Sequence, residues 1–176
     1  MKIELKPLEE TDREAFIKDN QRAFYYGALE EFGKRDEHFE EEGEIISAKT
    51  ISESIDAGDA YRIISDDEIA GGVIVKVEGN KGDLDILFVN PEAHSKGIGY
   101  KAWCEIEKMY PEVETWQTHT PYFETINIHF YVNRCGFHIV EFYNQFHKFP
   151  SDETKEDDGD YEGFFRFEKY IPKKQH

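Results

Sequence analysis

The segment Ala93-His94-Ser95-Lys96-Gly97-Ile98-Gly99-Tyr100 follows Pro91 and opens a helical pattern, so it gathers backbone N–H groups that have no intrahelical acceptor. The helix dipole is positive at that end, and such a turn can hold an anion, a pyrophosphate in particular. Gly97 and Gly99 remove the side chains that would keep a phosphate from the backbone, and Lys96 adds a positive charge. Taken alone, Gly-x-Gly ahead of a helix is also an ordinary tight turn. Neither nucleotide-binding signature competes. Position 102 is Ala, so the glycines do not continue as Gly-x-Gly-x-x-Gly, and no Gly-Lys-Ser/Thr follows.

Other chemistries lack their residues. The seven histidines are scattered without His-Glu-x-x-His, and the two cysteines, Cys104 and Cys135, form no Cys-x-x-Cys, so no metal is expected. Cys135 precedes Gly136 at a helix end and reads as structural.

The elements that must position this turn belong to one domain, residues 1–176, enough chain to bury roughly two-thirds of its unfolded surface. The net charge of -17 argues against nucleic acid, whose binding depends on Lys and Arg displacing counterions; cationic small molecules or basic peptides fit better. No apolar run approaches the ~20 residues that span a bilayer, and the N-terminal segment lacks an apolar signal core, so a cytoplasmic protein without membrane contact is expected.

Periodicity alternates between the two kinds of element. Strands are expected at "KIELKPL", "AYRIIS", "IAGGVIVKVEG", "DLDILFV", "VETWQT", "FHIVEFYNQF" and "GFFRFEKYI". Helices are expected from a Thr11/Glu14 capping box to about Gly33, at "SAKTISESIDAG", from the glycines to Tyr110 with Ile98, Ala102 and Ile106 on one face, and at "YFETINIHFYVNRC". The order implies an α/β (α+β) domain, a mixed twisted sheet of about seven strands flanked by about four helices. The strands before Pro91 and at "VETWQT", joined by a helix, should be parallel neighbours.

Two motifs in this frame resemble the GNAT superfamily of N-acetyltransferases. Val89, Pro91 and "HSKGIG" are similar to its cofactor motif, Val-x-Pro followed by Arg/Gln-x-x-Gly-x-Gly/Ala at a helix start. "FYVNRCGF" resembles its Phe/Leu-Tyr-x-x-x-Gly-Phe, and the element order agrees over essentially the whole chain. Two departures stand out: His94 replaces the Arg or Gln, and Glu124 and Asn127 occupy the positions of a usual Asn-x-x-Ala.

The resemblance implies splayed parallel central strands with a bulge in Leu84 to Val89, opening a cleft for acetyl-CoA as cosubstrate. Leu87, Phe88 and Val89 would pair with the cofactor arm, while His94, Ser95, Lys96, Gly97, Ile98, Gly99, Tyr100 and Asn127 would complete the cofactor site. Tyr131 would be the general acid. For the base, Asp85 matches the family's acidic position, Asp83 lies farther from the cleft, and His119 is an alternative with a suitable ordinary pKa. The acidic runs "DEHFEEEGE" and "SDETKEDDGDYE", with Glu30 and Glu31, would border the acceptor site and draw in a small cationic amine or polyamine; solvated charge on exposed loops is the other reading. Peptide N-terminal or lysine acceptors, a non-catalytic acyl-CoA-binding module, and pairing into a homodimer through the last strands also stay open.

Overall fold

The computed structural model describes residues 1–32, 46–94, 96–152 and 162–173. The chain begins with β1 (Ile3–Pro7) and passes through a 3-10 turn at Glu10–Asp12 into α1 (Arg13–Phe32). The expected Thr11 capping box does not open this helix: the turn starts after Glu9, with no side-chain cap, and Asp12 serves elsewhere. α2 (Ala48–Ala57) follows, capped by Ser47, whose hydroxyl accepts the Thr50 N–H at 3.0 Å. Three strands come next, β2 (Asp59–Ser65), β3 (Glu68–Glu78) and β4 (Lys81–Val89), and then α3 (Ile98–Met109). β5 (Thr115–Pro121), α4 (Thr125–His129, continued by a π turn over Phe130–Arg134), β6 (His138–Tyr143) and β7 (Phe164–Tyr170) complete the domain.

The seven strands among the described residues form one mixed sheet in the order β1-β2-β3-β4-β5-β7-β6, antiparallel except for β4 and β5. β3 is apolar on both faces because both are covered. Its Val73 and Val75 pack with Ala102, Trp103 and Ile106 of α3, and its Ile74 packs with Phe16 of α1 and Ile51 of α2. Arg62 of β2 is buried at this second layer, ion-paired with Asp12 at 2.6 Å and Asp19 at 3.0 Å, which ties the start of α1 to the sheet. At the far edge, β6 leaves Ile139, Val140 and Phe142 exposed along the strands through which the expected homodimer would form.

Two irregularities make the sheet useful. Val75 pairs with Leu84 and Ile74 with Ile86, leaving Asp85 as an extra, bulged residue in β4. Strict alternation would put Leu84, Ile86 and Phe88 on one face; instead Leu84 packs toward α3 while Ile86 and Phe88 pack toward α1. The bulge therefore turns Asp85 and Ile86 to the same side. Secondly, β4 and β5 are paired only at Lys81–Thr115, Gly82–Trp116 and Asp83–Gln117. Gly82 permits even that approach, since a Cβ there would run into the Trp116 ring.

Candidate active site

Past Asp83 and Gln117 the two parallel strands part, and a cavity of about 500 Å3 lies between them. From Leu84 onward, the edge of β4 that faces β5 has no strand partner, apart from the Thr118 hydroxyl, which donates to the Leu84 carbonyl at 2.8 Å. Leu87, Phe88 and Val89 line the cavity on that edge. The sequence places these three on the cofactor strand, and the unpaired edge is what lets backbone groups there serve a ligand.

At the mouth, Gly97 caps α3 in the left-handed region (φ 73°), and no side chain caps the helix. The first helical bond runs from Lys101 N–H to the Gly97 carbonyl, so the N–H groups of Ile98, Gly99 and Tyr100 have no intrahelical acceptor. His94, Gly97, Ile98, Gly99 and Tyr100 all line the cavity; Lys96 is exposed beside it, and Ser95 lies outside the described residues. His94 packs its ring edge-on against Tyr26, with centroids 5.3 Å apart. Asn127 also lines the cavity, but its amide already donates to Glu124 at 2.6 Å.

At the closed end stand the groups that can move protons. Tyr131 lines the cavity and packs against Phe137 and Phe167. Burial holds its phenol well above the ordinary tyrosine range; Cys135 and Glu124 add to this, and a hydrogen bond with Thr118 opposes it. The phenol is thus a firmly held acid. His119 sits within β5, not at its end, because the strand runs on to Pro121, opposite Phe164. Its ring is enclosed by Tyr143, Phe149 and Phe164, and Nε2 is buried without a partner among the described residues. Burial lowers its pKa, with Arg166 adding to the effect and Asp85 and Glu141 opposing it, so the imidazole is neutral at pH 7.

Asp85 lines the cavity from the other strand, where it accepts a short hydrogen bond from Ser54 Oγ and pairs with Lys76 at 3.3 Å. Asp83 belongs to a separate hollow of about 810 Å3 that it shares with Lys76, Gln117 and Arg166. Burial and the Asp85 carboxylate raise the Asp83 pKa, against a 3.4 Å hydrogen bond from Gln117 and the charge of Lys76. A carboxyl raised on folding contributes stability in acid and loses it as pH rises through its folded-state pKa. Asp83→Asn should therefore raise the thermal midpoint at pH 7 and leave it equal to the parent at pH 3, where both forms are neutral; melts at the two pH values test this.

Glu30 and Glu31 fall at the end of α1, where side chains lie outside the described residues, as do residues 33–45 and 153–161 of the acidic segments. Cys135 is buried, and burial pushes its thiol up to about 12, which leaves it protonated and inert. Among the described residues, no group of three or more His, Cys, Asp or Glu could hold a metal ion, and no helix is long and apolar enough to cross a membrane.

Among the lining residues that the sequence reading does not single out, Arg134 is the one with a positive charge. Arg134 faces the cavity from the end of α4, with its guanidinium over the Tyr100 ring, 5.5 Å from the centroid. A signal was present in the spacing. The family pattern has three residues between the tyrosine and the glycine, whereas Val132, Asn133, Arg134 and Cys135 make four here. The extra residue is absorbed by the π turn, in which Cys135 N–H reaches back five residues to the Phe130 carbonyl at 3.0 Å.

A parallel pair of strands that part beside a glycine-started helix, with a partly buried tyrosine lining the same cavity, makes a site suited to an extended, phosphate-bearing ligand. The sequence pattern of the acetyltransferase (GNAT) family matches residues 13–137, and the chain belongs to that family. It is similar over 98% of its length to 96% of the uncharacterized protein YrkN of Bacillus subtilis (strain 168), at 43% identity. Its fold is similar to that of the PaiA N-acetyltransferase of Thermoplasma acidophilum in complex with coenzyme A (TM-score 0.63, 20% identity, 97% of this chain and 100% of that one). It is also similar in fold to the ribosomal-protein-S18-alanine N-acetyltransferase of Escherichia coli (TM-score 0.65, 17% identity, 99% and 97%).

Proposed function

We propose that the protein is an acetyl-CoA-dependent N-acetyltransferase of the cytoplasm, with a small cationic amine or polyamine as acceptor. The observation that carries this reading is the parting of β4 and β5, which sets an unpaired strand edge, a phosphate-receptive helix start and a protonated tyrosine around one cavity. The residues present fit the donor. Backbone groups of Leu87 to Val89 would hold its extended arm, and the N–H groups of Ile98 to Tyr100 would hold its phosphates. Gly99 keeps the approach clear, because a Cβ there would point toward Phe130 and Val89 across the cleft.

Bound acetyl-CoA supplies an acyl group activated by a thiol leaving group. The chain's own residues handle the protons. The acceptor must lose one as it attacks, and His119 and Asp85 flank the cavity from the two parted strands. His119 is held neutral and so has a lone pair to offer, whereas Asp85 is engaged by Ser54 and Lys76. Tyr131 gives its proton to the departing sulfur, and its raised pKa keeps that proton in place until charge develops there. Asp85 in the cavity, Glu30 and Glu31 on the same helix as the cavity-lining Gly27, and the net charge of -17 favour a cationic acceptor.

A peptide N-terminus or lysine is the second reading. It is favoured by the hollow around Asp83, which lies beside the cavity and gives an extended acceptor room on the same sheet.

The test is thiol release from acetyl-CoA by the purified protein, against pools of polyamines, other small amines, amino acids and basic peptides. Release with the polyamine pool supports the first reading and release with peptides alone the second. Stabilisation by acetyl-CoA without release from any pool would leave a non-catalytic acyl-CoA-binding module.

A further inference from the structure

We propose that Arg134 is the side chain that grips a phosphate of the donor, and that the π turn in α4 exists to put it there. This rests on the acetyl-CoA reading above and adds a residue to it. The cavity mouth otherwise offers little charge. His94, where the family carries Arg or Gln, has its ring against Tyr26, and Lys96 stands outside the lining. Glu124 is negative and takes up the one amide, that of Asn127, on its side of the cleft. A polyphosphate entering here meets a carboxylate and needs a compensating cation.

Arg134 meets that need. It is exposed, it lines the cavity, and among the described residues no carboxylate pairs with it. Tyr100 belongs to the first turn of α3, and the guanidinium resting on its ring lines the same cavity as residues 98–100, whose N–H groups are free of helical acceptors. A planar guanidinium so placed can offer two parallel N–H donors to phosphate oxygens, which a lysine cannot match.

The wide turn accounts for the placement. Phe137 is buried in the core and donates its N–H to the Tyr131 carbonyl at 2.9 Å, six residues back, where an ordinary glycine-ended helix closes over five. Tyr131 and Phe137 are thus fixed at both ends, and the additional residue enlarges the stretch between them. In a plain helix one residue shorter, the arginine would stand two positions after Tyr131, about 200° around the axis and away from the cavity. With the extra residue it stands three positions after, in the widened turn, and both Tyr131 and Arg134 line the cavity.

The experiment measures dissociation constants for acetyl-CoA, acetyl-3′-dephospho-CoA and S-acetylpantetheine with the parent, Arg134→Gln, Arg134→Lys and a deletion of Asn133. Binding of acetyl-CoA to the parent tests the underlying reading separately. Arg134→Gln should weaken acetyl-CoA binding by roughly 10- to 100-fold, the range for a lost hydrogen bond to a charged group. Arg134→Lys should recover part of the loss, and S-acetylpantetheine, which lacks the nucleotide phosphates, should bind all four proteins alike. Loss confined to acetyl-CoA assigns the 3′-phosphate, and loss shared with the dephospho compound assigns the pyrophosphate; either supports the proposal. Deletion of Asn133 should reproduce the Arg134→Gln loss with an unchanged unliganded melting temperature. Parent-like affinity in Arg134→Gln, or equal weakening toward S-acetylpantetheine, would overturn the role of Arg134, and parent-like affinity in a folded Asn133 deletion would overturn that of the π turn.

Discussion

Tyr131→Phe is expected to lower kcat by roughly 100- to 10,000-fold, the range for removing a positioned general acid. The substitution keeps the ring that packs against Phe137 and Phe167 and deletes only the hydroxyl, so the core around α4 survives. The dissociation constant for acetyl-CoA should stay within about twofold, because the phosphate and strand-edge contacts lie elsewhere in the cleft. The pH profile adds a second readout. Burial keeps the phenol protonated well into the alkaline range, so the parent should show no alkaline loss of rate from this group near the ordinary tyrosine pKa. Stopped-time assays of thiol release, with binding measured independently, separate the two effects. A variant that turns over like the parent would make Tyr131 a packing residue.

Gly99→Leu should abolish donor binding while sparing the fold. A Cβ at this position meets Phe130 Cζ at 3.4 Å and the Val89 methyl at 3.6 Å, ordinary contact distances, so the first carbon is accommodated. The rest of a leucine has to extend into the cleft. Leucine also favours the helix more than glycine does, by somewhat under 1 kcal/mol, so the unliganded protein should melt no lower than the parent. At an acetyl-CoA concentration 100 times its Kd, the parent gains about 2.7 kcal/mol. For a chain of this length that is roughly 5–10 °C. The variant should show no shift and no turnover. A parent that fails to shift would sink the donor assignment, and a variant that shifts like the parent would relocate the phosphates away from Gly99.

Much of the frame was legible in local signals. Pro91 and the glycines after it mark the strand end and the helix start. The fourfold spacing of Ile98, Ala102 and Ile106 gives the buried face of α3. The parting of β4 and β5 came from the family resemblance, not from periodicity. What stayed hidden depends on contacts remote in sequence. A bulge within Leu84 to Val89 was expected from the family resemblance and is present, but "DLDILFV" alternates cleanly, so nothing local shows that it falls at Asp85; its place follows from the core on each side requiring Leu84 on one face and Ile86 and Phe88 on the other. The ties from Ser54 and Lys76 to Asp85 join three separate elements, and only the folded sheet brings them together. The expected strand "VETWQT" stops just before His119, whereas the ladder against β7 runs on to Pro121; a proline, which lacks the N–H donor, is tolerated there because it is the last residue of the ladder. The extra residue after Tyr131 was countable in the sequence, and only its consequence, a widened turn carrying Arg134 to the mouth, needed three dimensions.

Three residue pairs join β1–β4 to β5–β7, whereas β3 and β4 meet along nearly their whole length. In mechanical terms the sheet is two plates on a short seam at Gly82 and Trp116, and the core that packs Val73 and Val75 with Trp116 and Phe167 holds them together beneath it. A molecule lying in the gap and gripping both plates works as a cross-beam, stiffening the domain as a whole and not one loop.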